Sequence, residues 1–207
     1  IYKPHDGNNQ LGYSWFSDGK LNITISMIDR WIKSGYGDNN AIIYDSPVTN
    51  TIKYITFNEL LDSVEKCASY LRQHCNIKKG DVILIYMPMI PQALIAMYAS
   101  SRIGAIHSVV FGGFAAPELA KRINDCKPKI IITASGGKEN ENKIIEYGPI
   151  IENAINLCSS DCKPNYILTK KRENIGINKH SLNIKDESIE INDWDEMVEN
   201  KKYDKSL

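Results

Sequence analysis

The sequence has no charge excess: 25 basic and 25 acidic side chains cancel. A chain built to hold nucleic acid by its phosphates is usually basic, so that class is set aside. No apolar run approaches the roughly 20 residues of a membrane-spanning helix, and no signal peptide opens the chain. The first residue is Ile1, so the native start is expected to lie outside this sequence. The five cysteines, Cys67, Cys75, Cys126, Cys158 and Cys162, are odd in number and scattered. They read as reduced thiols in a reducing compartment, cytosol or mitochondrial matrix, rather than as a disulfide framework. Cys158 and Cys162 stand four apart, but no second pair has zinc-site spacing, so no metal is expected. The sequon Asn22-Ile23-Thr24 is read as chance. Neither G-x-G-x-x-G nor a Walker A loop occurs, which leaves a nicotinamide-dependent oxidoreductase with the least support.

What the chain has is a rhythm. Three apolar, β-branched runs, Val82–Tyr86, Ala105–Phe111 and Lys129–Thr133, alternate with helix-like segments. Gly112-Gly113 and Gly136-Gly137 follow two of them. This predicts an α/β fold, a mainly parallel sheet flanked by helices with its ligand-facing loops at the strand ends. Strands covered on both sides read as unbroken apolar runs, so Ile85, Val109, Val110, Ile131 and Ile132 are expected to be buried. Pro91 and Pro117 are placed to open the intervening helices, and Leu94, Ile95, Met97, Tyr98 and Ile103 are expected to point inward from the first. A further helix is expected near Pro149–Cys158 and a short strand at Tyr166–Thr169.

Residues 1–35 form an arm that packs Tyr13, Trp15 and Phe16 on the body, with a first helix through Leu21, Ile25, Ile28 and Ile32. Residues 36–170 are the α/β body, opened by a hairpin (Ala41–Asp45 and Lys53–Thr56). It then runs into a helix capped by Thr56 and Glu59, whose face is Leu60, Val64, Cys67, Ala68 and Leu71. Residues 171–192 are polar and read as an exposed insertion. Residues 193–207 form a helix and tail, anchored by Trp194 and Val198.

Two sites stand out. Gly112-Gly113 either admits a ligand to the backbone or makes a tight turn needing positive φ. The Ser135–Lys143 stretch reads equally as a phosphate cradle, with Lys138 and Lys143 as charges, or as a solvated polar loop in which Glu139 and Glu141 oppose an anion. His107 reads as a hydrogen-bonded sheet histidine rather than a general base. Asp29-Arg30 reads as a local ion pair, and Arg102 as a charge complementing a helix C-terminus. Met87, Met89 and Met97 read as core filler.

Trp15-Phe16, Leu21-Asn22 and Asp29-Arg30, then Tyr86-Met87-Pro88-Met89-Ile90-Pro91, and above all Arg102-Ile103-Gly104-Ala105-Ile106-His107-Ser108-Val109-Val110-Phe111-Gly112-Gly113-Phe114, resemble the short-chain acyl-CoA synthetases, adenylate-forming AMP-binding ligases. Tyr44–Thr49 and Gly113–Ala116 are more similar to the propionate-type branch than to the acetate type. The resemblance runs from about Trp15 to Ser135, weakens after Lys143 and fades in the insertion. It implies that a parent enzyme joins acetate or propionate to ATP, with Mg2+, and then passes the acyl group to CoA. It implies that Phe111, Gly112 and Gly113 lie beside the CoA path. The loop formed by Lys138, Glu139, Asn140, Glu141, Asn142 and Lys143 would meet the nucleotide end of CoA, although the family's acetate enzymes have an Arg-Gly-Gly-Lys-like run there and only Lys143 matches it. The phosphate loop, the ribose-binding aspartate, the acyl pocket and the catalytic lysine of that family have no counterpart here. The chain therefore reads as an incomplete N-terminal portion of the large AMP-binding domain, inactive alone, with no catalytic residue of its own and with small molecules and the rest of its parent as partners. The alternative is a self-contained CoA- or nucleotide-binding regulatory module. On the fragment reading, apolar surface should be exposed where the remainder docks.

Overall fold

The computed structural model describes residues 2–4, 13–16, 18–140, 143–172, 175, 182 and 184–200. Two short strands, β1 (Tyr2–Pro4) and β2 (Tyr13–Trp15), pair antiparallel. Helical turns Ile25–Asp29 and Ile32–Tyr36 follow, broken at Gly35 with φ 87°. Ile28 is the buried anchor of this segment, while Leu21, Ile25 and Phe16, expected to pack inward, are exposed. The predicted hairpin is present as β3 (Asn40–Ser46) and β4 (Thr51–Thr56).

Helix α1 (Phe57–Ser69) begins at a complete capping box. The Thr56 hydroxyl accepts from the Glu59 N–H at 3.2 Å, and the Glu59 carboxylate accepts from the Thr56 N–H at 2.8 Å. Its face Leu60, Val64, Cys67 and Ala68, continued by Leu71 in the turn Tyr70–His74, is buried as its spacing requires.

The core is a five-stranded sheet, parallel throughout, in the order β11-β10-β7-β5-β6. Its strands are β5 (Val82–Met87), β6 (Ile106–Phe111), β7 (Ile130–Ala134), β10 (Tyr166–Lys170) and β11 (Glu190–Asp193). Helices α1 and α2 (Pro91–Arg102) pack on the face formed by Ile83, Ile85, Ile130, Ile132 and Leu168. Helices α3 (Ala116–Cys126) and α4 (Tyr147–Leu157) cover the other, formed by Leu84, Tyr86, Val110, Ile131 and Ile167. The short helix Asp195–Asn200 closes the first layer with Met197 and Val198, next to the buried Trp194.

Several expectations fail for identifiable reasons. Val109 is 53% exposed, because β6 is the sheet edge and its outer face, with His107 and Phe111, stays open. Met89 lies beyond the end of β5 and is exposed, whereas Met87 is core and Met97 packs against it. Helix α2 buries Ala93, Ile95, Ala96, Ala99 and Ser100, a small-residue face that lets it lie close on the sheet; Met97, Tyr98 and Ile103 pack half-buried against the core as expected, and of the residues expected to point inward only Leu94 does not join it. Of the stretch read as a loop, Lys138, Glu139, Asn140 and Lys143 belong to two antiparallel strands, β8 (Gly136–Asn140) and β9 (Lys143–Glu146). The polar stretch 171–192 buries Ile175 and Ile189 and ends in the edge strand β11. Asp29 does not pair with Arg30, whose guanidinium sits over the Trp31 ring at 4.8 Å. It pairs instead with Arg102, which forks onto both Asp29 oxygens at 2.9 and 3.1 Å and also reaches Glu65 at 3.2 Å.

All five cysteines are free thiols, and burial pushes Cys158 up to about 11 and Cys75 up to about 12. An unfolded thiol ionises near pH 8.5, so the folded state keeps these protons to higher pH. Their contribution to stability is therefore intact below about pH 8.5 and is lost as pH rises through 11 to 12, at up to about 1.4 kcal/mol per pH unit for each thiol. Urea midpoints are expected to fall steadily above pH 8.5 and to fall less steeply in Cys75→Ala. A flat midpoint to pH 10.5 would show that these thiols are not protected.

Candidate functional site

The site lies at the carboxyl ends of β5, β6 and β7, where a parallel sheet leaves its loops free to meet a ligand. Strand β6 ends in Phe111, whose ring is 72% exposed and meets Phe114 edge-on at 6.0 Å. Gly112 and Gly113 follow. Neither has positive φ, so a strained turn is not what requires them. The requirement is space. A Cβ on Gly112 would stand 2.2 Å from the Tyr147 hydroxyl oxygen and 3.2 Å from the Met87 carbonyl oxygen. Gly137, the second residue of β8, is confined by the same phenol: a Cβ there would stand 2.6 Å from its oxygen. The two glycine turns thus both close on one oxygen.

Tyr147 is held firmly. It is the first residue of α4, its N–H donates to the Ser135 carbonyl at 3.1 Å, and its ring packs against Tyr86 with centroids 4.8 Å apart. The Tyr86 hydroxyl in turn donates to the Phe114 carbonyl at 2.8 Å, which fixes the far end of the first turn. Burial pushes the Tyr147 phenol up to about 12 against the pull of the nearby Arg172 charge, so it stays neutral at physiological pH. Tyr86 is raised further for the same reason.

The second turn is latched to β10. Ser135 donates its N–H to the Lys170 carbonyl at 2.9 Å, and its hydroxyl accepts from the Arg172 N–H at 3.0 Å. The Arg172 guanidinium donates to the Gly136 carbonyl at 3.2 Å. Beyond the turn the β8–β9 hairpin carries Lys138 opposite Ile144 and Asn140 opposite Lys143. Lys143 is committed to Glu139 across the hairpin at 2.5 Å, which offsets its charge for an incoming phosphate. Lys138 is half-buried and has no carboxylate partner among the described residues. Glu141 and Asn142 lie outside the described residues.

Phe111, Gly112, Gly113 and Lys138 are therefore brought to one end of the sheet, whereas Glu139 and Lys143 satisfy each other. His107 is exposed on the open face of β6, and desolvation lowers its imidazole pKa. It has no side-chain hydrogen bond among the described residues, contrary to expectation. Beside the site, a cavity of about 220 Å³ is lined by Lys53, Lys170, Lys171 and Arg172; Lys170 is paired with Asp195 and Lys171 with Asp193. No cluster of His, Cys, Asp or Glu able to hold a metal occurs among the described residues, and no described helix is long and apolar enough to cross a membrane. Sequence reasoning missed Tyr147, Tyr86 and Arg172. Their role arises from contacts between distant segments, and no local pattern marks them.

Fold and site together define an α/β protein whose two glycine turns cluster at the carboxyl edge of a parallel sheet. The family model described as "AMP-binding enzyme" matches residues 29–202, and the chain belongs to that family. It is 54% identical over 175 residues to acyl-CoA synthetase short-chain family member 3, mitochondrial, of Bos taurus, covering 83% of this chain and 25% of that protein. It is 42% identical over 150 residues to acetyl-coenzyme A synthetase of Streptomyces avermitilis, covering 72% and 22%. Among solved structures, acetoacetyl-CoA synthetase from Streptomyces lividans superposes with a TM-score of 0.77 at 18% identity, over 98% of this chain and 28% of that one. That likeness bears on the fold alone. The chain spans about a quarter of the length of the curated relatives it matches.

Proposed function

We propose that this chain is an N-terminal portion of the large AMP-binding domain of a short-chain acyl-CoA synthetase, and that it forms one wall of the CoA path. In the parent reaction, a carboxylate oxygen attacks the α-phosphorus of ATP, pyrophosphate leaves, and an acyl-adenylate forms. The CoA thiolate then attacks the acyl carbon and AMP leaves. The observation that supports a CoA role here is the convergence of the two glycine turns at one end of the sheet, where Phe111 and Gly113 are exposed and Lys138 has no carboxylate partner among the described residues. Glycine lets a ligand approach the backbone closely, an exposed aromatic ring offers apolar contact, and a lysine offers charge to a phosphate. Glu139 and Lys143, and with them Asn140, are assigned to the nucleotide end of that path. Sites for ATP, its Mg2+ and the acyl group are assigned to the three-quarters of the relatives' length outside this chain. Acetate or propionate is the inferred carboxylate. A reducing compartment, cytosol or mitochondrial matrix, suits the free thiols.

The test is the full-length protein carrying this chain, assayed for ATP–pyrophosphate exchange and for thioester formation with acetate, propionate and longer carboxylates. Both activities are expected, with acetate or propionate preferred. The 207-residue chain alone is expected to show neither. Exchange without CoA-dependent AMP release, or exchange by the isolated chain, would overturn the reading.

A further inference from the structure

Strand β5 lies between β6 and β7 in the sheet, so the turns leaving those two strands are not ladder partners. Strands two positions apart stand roughly 10 Å from each other, and something must fill the space if their turns are to keep a fixed separation. Outside the strand ladders no backbone hydrogen bond joins the two turns among the described residues: the 111–114 turn bonds within itself, while Ser135 bonds to Lys170 and Tyr147. The residue after Met87 is Pro88, which has no N–H to donate to either turn.

The object in that space is the Tyr147 phenol. It lies against the positions of both Gly112 and Gly137, with the Met87 carbonyl close to the first and the Pro88 ring close to the second. It is 3% exposed, packed at a tilt against Tyr86 and tied through its N–H to the second turn. We propose that Tyr147 is a positioning residue for CoA: its phenol is the spacer that sets the gap between the 111–114 and 135–138 turns. This rests on the CoA reading given above. Because the phenol is neutral near pH 7 and enclosed, it acts by its dimensions and not by exchanging a proton. Ends of β5, β6 and β7 and the start of α4 meet at this one group, so a change there moves both turns while leaving the sheet intact.

The test uses the full-length protein and separates the two half-reactions. Tyr147→Ala is expected to raise the KM for CoA on the order of ten-fold, since small displacements of positioning groups have effects of that size. Carboxylate-dependent ATP–pyrophosphate exchange, which does not involve CoA, should stay within about two-fold of wild type. Tyr147→Phe, which keeps the ring and removes the oxygen, should raise the KM less. Gly137→Ala should raise it by forcing the phenol aside, and adding Tyr147→Phe should bring it back to the level of Tyr147→Phe alone. Without the oxygen, the nearest atoms to the new Cβ would be a ring carbon at 3.3 Å and Pro88 at 3.7 Å. Gly112→Ala should not be rescued in this way, because a ring carbon at 2.9 Å and the Met87 carbonyl at 3.2 Å remain. Equal losses in both half-reactions, a wild-type CoA KM in Tyr147→Phe and Gly137→Ala, or additive effects in the double variant would overturn the proposal. If Tyr147→Ala does not fold, the Phe and Gly137 variants decide it. A wild-type protein that forms no thioester would instead remove the underlying reading.

Discussion

Replacing Arg102 by methionine is expected to destabilise the fold by about 3–5 kcal/mol, the usual cost of removing one partner from a buried ion pair. Arg102 is the last residue of α2, and its side chain is only 14% exposed. It holds Asp29 through two hydrogen bonds, Glu65 through one and the Thr24 hydroxyl at 3.4 Å, while its carbonyl accepts from the Asn22 amide at 2.9 Å. The N-terminal helical segment, α1 and α2 therefore meet at this residue. Methionine would keep most of the packing volume but leave two half-enclosed carboxylates facing each other without a cation. At about 2–4 °C per kcal/mol for a chain of this size, the thermal midpoint should fall by roughly 6–20 °C. Arg102→Lys should fall between, because an ammonium cannot reproduce the fork. Adding Asp29→Asn and Glu65→Gln to Arg102→Met should recover a large part of the loss. A midpoint unchanged in Arg102→Met would mean that the cluster is solvated and contributes nothing.

The two adjacent glycines should respond in opposite ways. Gly112→Ala places a methyl 2.2 Å from the Tyr147 oxygen and 3.2 Å from a main-chain carbonyl. Neither is free to yield, since the phenol is enclosed and Met87 is in the sheet. Overpacking of this kind costs about 1–3 kcal/mol. In the full-length protein, turns displaced by an ångström should lower thioester formation by up to about a hundred-fold. Gly113→Ala also creates a contact, 2.6 Å, but with the edge of the Phe111 ring. That ring is exposed and can swing away, so stability should change by less than about 0.5 kcal/mol, as at an ordinary surface site. Paired denaturation curves and CoA titrations check both. Equal tolerance at the two positions would mean that Tyr147 does not occupy the space between the turns.

The central strands were legible because their neighbours cover both faces: Ile83 to Tyr86 and Ile130 to Ile132 had no choice but to be apolar. The same signal misled at β6. An edge strand with β-branched residues has the composition of a central one, and only the sheet order shows that Val109 faces outward. The β8–β9 hairpin and β11 were missed because they are polar, and their main-chain pairing leaves little trace in hydropathy. The capping box was read correctly because both partners lie within one turn. The Asp29–Arg102 pair was not, because its partners are 73 residues apart and a nearer cation offered a false local solution. In the site, glycine was recognised as necessary, but the reason could not be: backbone freedom and spatial clearance look identical in a sequence, and only the position of Tyr147 distinguishes them.

The strand order has a consequence for how the chain assembles. β5 is made first; β6 adds on one side, and β7, β10 and β11 then add on the other, each beside the strand synthesised before it on that side. Every new strand finds its template already in place, and none must insert between two strands that have already joined. This order allows the sheet to grow in step with synthesis, dividing the slow search that long-range parallel pairing entails into shorter ones.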